Sequence, residues 1–234
     1  MQDTSGQRAS NHFHKEYKDP TLPYTDGARS LLNISRMLKF GLIAFIPLAA
    51  FQAALSSIAL YDVQAYFDLV FRYPFASTIL IASSLIYRLV YIACIILSSW
   101  LLFRAARNLH TVAPGQLKTQ PHWAWLWFFI PFANFFRPYE AVAEIDAVTR
   151  RNAGIGAGSS PQLLTWWILF IGSVFIGSTN ISLPLENMFQ VALILEILSG
   201  IAAIVAAILF MRITSELAQN QEHLKVAGVA HVFD

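Results

Sequence analysis

Charge is scarce in this chain: Asp, Glu, Lys and Arg make up 13% of 234 residues, while 56% are apolar. The formal net charge of +2 is too small to hold a polyanion, so no nucleic-acid partner is expected. Cysteine is almost missing. The single Cys94 cannot form an intrachain disulfide and reads as a small packing residue. Catalytic signatures are missing too: there is no His-Glu-x-x-His, no Gly-x-Ser-x-Gly elbow and no carboxylate pair at transfer spacing. His12 and His14 have no carboxylate or cysteine cluster around them to complete a metal set. The expectation is therefore no enzyme, no metal and no cofactor. No apolar run follows the first residues, so no cleaved leader is expected.

What the chain has instead is length in its apolar runs. Residues 38–60, 78–103, 162–180 and 188–211 each approach or exceed the ~20 residues that carry a helix across a ~30 Å hydrocarbon layer. The mean hydropathy of +0.52 agrees with a membrane protein. A fifth run, 122–136 (HWAWLWFFIPFANFF), is too short to span and carries Pro131 and Asn134.

Basic residues decide how the chain threads. Arg8, Lys15, Lys18, Arg29, Arg36 and Lys39 precede the first run, and only Arg72 lies between the first two. Arg104, Arg107, Lys118, Arg137, Arg150 and Arg151 follow the second run, none lies around Ser182–Asn187, and Arg212 and Lys225 follow the last. If 122–136 does not cross, the basic segments alternate with the poor ones, and both termini are cytoplasmic. The tryptophan-rich run then becomes a re-entrant or interfacial element, with its backbone satisfied by surrounding protein.

The organisation expected is a polar, disordered cytoplasmic tail over 1–27, a membrane bundle over 28–218 and a cytoplasmic tail over 219–234. Residues 28–40 place Leu31, Ile34 and Leu38 on one stripe and Arg29, Arg36 and Lys39 elsewhere, as in a helix lying among headgroups. Tyr61, Tyr66, Phe67, Phe71, Tyr73 and Phe75 read as an outer aromatic belt. Residues 137–151 read as a cytoplasmic helix, with Val142, Ile145 and Val148 on its apolar side and Glu140, Glu144 and Asp146 on its polar side. The glycine-rich 152–160 lacks the Gly-Lys-Ser/Thr ending of a phosphate loop and reads as a linker.

Two groups of residues are candidates for function. Arg88 and Glu196 lie deepest in their runs, at similar depth when counted from the helix ends, and are expected to form an intramembrane ion pair, as a structural clamp or as a relay. Arg104 and Arg107, one turn apart, are placed to meet anionic lipid headgroups or to grip an anionic ligand beside the tryptophan-rich element.

Trp100, Leu101, Arg104, Ala105 and Asn108 form W-L-x-R-A-x-x-N, and Pro121, Trp123, Ala124, Trp127–Pro131, Asn134, Pro138 and Tyr139 continue the pattern. With Trp166–Trp167 opening the third span, this resembles the bacterial domain-of-unknown-function family 4328, small multi-span membrane proteins. The resemblance implies no activity, but it directs attention to Pro131, Asn134, Arg137 and Pro138, and Trp123 and Trp127 join Pro131, Asn134 and Arg137 as candidate lipid- or partner-binding residues. Pro131 removes a donor and breaks the helix, and Asn134 is placed to satisfy a carbonyl freed there. The whole reads as an all-α bundle of four spans in a bacterial inner membrane. Its expected role is that of a non-enzymatic lipid- or partner-binding protein, alone or as a homo-oligomer. The alternative is a small transporter or channel with a polar path near Arg88 and Glu196.

Overall fold

Apolar runs become helices here, and three of those helices outgrow the runs. The computed structural model describes residues 28–179 and 185–230, and among them every regular element is helical. The first run lies in α1 (Leu32–Tyr61), the second in α3 (Pro74–Val112) and the fourth in α7 (Leu185–Ala230). Each of these three is long and apolar enough to cross a membrane. The third run forms α6 (Gln162–Thr179), shorter than the other three. Asn180, Ser182 and the tails 1–27 and 231–234, with His12 and His14, lie outside the described residues.

Between the long helices the chain builds short ones. Asp62 ends α1 and caps α2 (Val63–Arg72), its carboxylate accepting from Ala65 N at 2.9 Å. The expected aromatic loop is thus largely helix. No residue of α2 is buried, and Tyr61, Phe71 and Phe75 are exposed around it. Pro121 starts α4 (Pro121–Leu126), and a 3₁₀ turn over Ala133–Phe135 leads into α5 (Arg137–Asn152), where Pro138 fits the first turn. At the far end of α5, Gly154 has φ +71°, while Ile155 N reaches back to Arg150 O at 2.9 Å. That is the left-handed closure which favours glycine after a helix, and it accounts for the first glycine of the 152–160 segment.

Cross-helix contacts set direction and register. A Cβ at Gly41 would lie 3.0 Å from Cys94 Sγ, and Gln52 Nε2 donates to Ser83 Oγ at 3.4 Å, so α1 and α3 are antiparallel. Ser35 Oγ donates to Thr214 O, and a Cβ at Gly200 would lie 3.1 Å from the Ala53 Cβ, so α1 and α7 are antiparallel as well. One end of the bundle therefore gathers the start of α1, the end of α3, the start of α6 and the later turns of α7. With Arg36, Lys39, Arg104, Arg107 and Arg212 there, it is the basic end.

The core sits at that end. Leu31, Leu38, Leu101, Leu102, Leu109, Ile145, Leu163, Ile213 and Leu217 are all nearly inaccessible. In contrast, only 6% of the most apolar stretch of α3 is buried. The reason is the solvent. Apolar surface costs nothing in a lipid layer, so helices there are not driven together by hydrophobicity; where helices emerge into water, burial is strongly favourable.

Two expectations change here. Residues 28–40 do not lie flat as a separate helix: Leu31, Ile34 and Leu38 share a face as expected, but they are buried in the basic-end core, and residues 32–40 are the first turns of α1. Asp146, assigned to the polar side of its helix, is 2% exposed, and its carboxylate accepts from Ser160 N. Burial raises its pKa above the usual carboxylate value, opposed by the Ser160 N–H and by Arg150, with Glu216 adding to the rise.

Candidate functional site

A polar clasp ties the basic end together. Asn108 on α3 accepts from Arg29 N at 3.0 Å through Oδ1, and its Nδ2 donates to Arg29 O at 2.8 Å and to Gln221 Oε1 at 3.0 Å. Gln221 Nε2 donates in turn to Ala105 O and to Thr149 Oγ1, both at 3.2 Å. One amide pair thus joins the segment before α1 to α3, α5 and α7. Glu144 holds the α3–α4 loop in the same way, accepting from Lys118 N at 2.6 Å and from Thr119 N at 3.2 Å.

The tryptophan-rich element folds back on itself. The chain enters it where α3 finishes and leaves it where α6 begins, at the same end of the bundle. After α4, turns from Trp127 to Phe132 reverse the chain, and Phe132 adopts φ +65°, a left-handed conformation rare for a bulky residue. Phe135 O accepts from Trp167 Nε1 at 3.0 Å, and the Phe135 ring stacks on Phe175, in the later half of α6, at 4.9 Å. Phe128 reaches the bundle centre, where with Phe45, Cys94, Ser98, Trp166 and Phe210 it lines an apolar void of about 60 Å³.

Several sequence candidates do meet. Trp123 and Trp127 stack at 4.5 Å, Arg137 lies over the Trp127 ring at 5.6 Å, and the same guanidinium bonds Glu140 at 2.8 Å. This makes an exposed aromatic-cationic corner, with the exposed Pro131 at the turn. Asn134 does not do what the break in the helix suggested. The carbonyl freed by Pro131 is that of Trp127, four residues earlier, and the Asn134 side chain makes no hydrogen bond to it; the Asn134 backbone N–H donates to Ile130 O at 3.0 Å, and Asn134 Oδ1 is buried without a partner. Arg107 is 8% exposed, with most of its side chain in protein, and Arg104 is half-buried.

Arg88 and Glu196 do not form an ion pair. Both are exposed, and the register explains why. Ser83 on α3 and Gly200 on α7 meet neighbouring residues of α1, Gln52 and Ala53, so they lie at one level. Because α3 and α7 run the same way, Arg88 is displaced from that level towards the basic end and Glu196 away from it. The separation along the axes is about 13 Å at the helical rise. Depth counted from the helix ends missed this offset. Exchanging the two charges (Arg88→Glu with Glu196→Arg) is therefore expected to give additive losses of stability, within ~0.5 kcal/mol of the summed singles. Rescue in thermal melts of the double variant would contradict the register.

An open cleft of about 540 Å³ lies between α3 and the tryptophan-rich element. Ile96, Ser99, Trp100 and Phe103 form its wall on α3, one helical stripe. His122, Trp125 and Phe129 face them. The sequence marked Trp100 and the aromatic run but gave Ser99 no role. The signal available was only that Ser99 shares the stripe of Trp100 and Phe103.

A family model described as "Domain of unknown function (DUF4328)" matches residues 72–219, more than half of the chain. That stretch includes the cleft, the aromatic-cationic corner, Asn108 and both walls of the central void except those on α1. No curated protein and no solved structure matches the chain.

Proposed function

Since the chain belongs to the DUF4328 family, whose description carries no activity, we propose from the geometry of the basic end that it is a lipid-binding protein of the bacterial inner membrane. In this reading it has four spans, α6 being the third. The basic end faces the cytoplasm, as the positive-inside rule directs, and the tryptophan-rich element is re-entrant from that side. The observation that supports the reading is the cleft, a concave, aromatic-walled space of ligand size on the surface of a membrane-embedded helix. Exposed Trp123, Arg137 and Lys39 supply amphipathic and cationic groups of the kind that engage headgroups around it. A transport path finds less support. Arg88 and Glu196 point away from the bundle interior at different levels, and the central void is apolar.

The test is lipid retention. Full-length protein is extracted in mild detergent, washed and examined by native mass spectrometry. About one tightly held lipid per chain is expected, lost when Ile96→Trp fills the cleft; a chain stripped clean by washing that leaves the helices intact sinks the reading. In sealed inverted vesicles a cysteine at Ile155, in a chain with Cys94 replaced by serine, should react with an impermeant thiol reagent, since the cytoplasmic face is outward there. Protection that ends only on lysis would reverse the orientation.

A further inference from the structure

We infer that the cleft holds a single acyl chain of a membrane amphiphile, with the carbonyl oxygen at the head of that chain accepting a hydrogen bond from Ser99 Oγ. This rests on the lipid-binding reading and names the ligand chemistry of the same site.

The first observation is the state of the Ser99 hydroxyl. Hydroxyls in apolar helices ordinarily bond back to a carbonyl one turn earlier. Ser83 does so to Leu80 O, Ser98 to Cys94 O, Ser173 to Phe170 O and Ser215 to Met211 O. Ser99 does not. The residue is 5% exposed, it lines the cleft, and its Oγ is buried without a hydrogen-bond partner. An unmade hydrogen bond in a dry site is a standing cost, which an acceptor on a ligand removes once rotation about χ1 turns the hydroxyl out of the wall into the cleft.

The second observation is the lining. Apart from Ser99 and His122, the walls are aliphatic or aromatic: Ile96, Trp100 and Phe103 on one side, Trp125 and Phe129 on the other. Such a wall selects a hydrocarbon chain and rejects a polar solute, which would lose its hydration without replacement. The volume of about 540 Å³ falls within the ordinary range of small-ligand sites, ~300–1,000 Å³.

The third is depth. Because Gly41 faces Cys94 across antiparallel helices, Ser99 is level with Arg36 and Ile96 with Lys39, both basic residues exposed on α1. Basic side chains at the start of a span mark the boundary between headgroups and hydrocarbon. The carbonyl groups of a membrane lipid belong at that boundary, and its chains run inward from it. A lipid seated in the cleft thus meets Ser99 at its carbonyl and Ile96 and Phe129 along its chain. A shared depth, a fitting wall and an available donor converge on one ligand chemistry. Two molecules carry it, a phospholipid and a free fatty acid.

Photo-crosslinking separates the possibilities. Full-length protein in detergent micelles is irradiated with palmitic acid bearing a diazirine near its terminal carbon and, separately, with a phosphatidylglycerol bearing the same chain. Adducts are expected on the peptides containing Ile96–Phe103 and Trp125–Phe129, and excess unlabelled competitor should remove them. Adducts on the exposed outer face of α3, at Ile81, Leu85 and Leu89, should not respond to the competitor. Ser99→Ala is expected to raise the competitor concentration needed about fivefold, the loss of one hydrogen bond, while Ser99→Thr keeps a hydroxyl and leaves it unchanged. The probe that is competed identifies the source, free acid or phospholipid. Labelling that spreads evenly along α3 without competition overturns the inference, and so does competed labelling indifferent to Ser99→Ala. If either occurs while native spectra still show a retained lipid, the cleft assignment falls and the lipid-binding reading stands. If retained lipid is missing as well, both fall.

Discussion

Asn108→Ala is expected to cost about 3 kcal/mol of stability, because it removes three hydrogen bonds at once, at ~1 kcal/mol each. Asn108 is 5% exposed and makes three hydrogen bonds, two to the backbone of Arg29 and one to Gln221. Alanine removes the Asn108 bonds to Arg29 N–H and C=O, which are partly buried, and strands the Gln221 carbonyl oxygen in the buried core. Gln221→Ala should cost a comparable amount, since it also removes three hydrogen bonds, although the Arg29 clasp survives it. The double variant should cost clearly less than the sum of the singles, because the Asn108–Gln221 bond is lost in each. Thermal melts in one detergent measure all three. A loss below ~1 kcal/mol for Asn108→Ala would mean that the clasp is not what holds the basic end together.

Trp166→Ala is the second large effect, expected at ~3–5 kcal/mol. Trp166 is 3% exposed and stacks on Phe210 at 4.5 Å with an interplanar angle of 11°. It also lines the central void, so its removal enlarges a space that is already there. The loss is one of packing, since the atoms that faced the indole lose their contact partners. Trp166→Phe keeps a ring against Phe210 and should retain most of the stability. An apolar ring of matching size, such as indole, should partly restore the alanine variant, as dry apolar cavities accept such guests. Unchanged melting of Trp166→Ala would show that α6 is held by other contacts.

The legible part of this molecule was whatever depends on runs and punctuation. The four apolar runs, the helix beginning near Arg137 and the reversal around Pro131 follow from hydropathy and from a missing N–H, which act over a few neighbouring residues. The illegible part depends on register between helices. Arg88 and Glu196 looked level because their depths were counted from the ends of separate runs, and nothing local in the chain states that Ser83 and Gly200 share a level. Asp146 was assigned to water by its chemistry, yet a partner fourteen residues away, Ser160 N, sets its place. Ser99 and Ser98 are indistinguishable as letters. Only the fold gives one a carbonyl and leaves the other facing a cleft. Asn108 was visible as part of a motif, but its partners lie 79 and 113 residues away, beyond any periodicity.

The Asn108–Gln221 clasp also orders the biosynthesis of the chain. Polypeptides emerge from their amino end, and Arg29, Asn108 and Thr149 are all made well before Gln221. The early helices can therefore enter the bilayer one after another while the basic end remains open, because the side chain that fastens it belongs to the later turns of the final helix. Closure is the last event of assembly, a latch that shuts once α7 has been threaded, although the strap ahead of α1 can be tied to Asn108 before then.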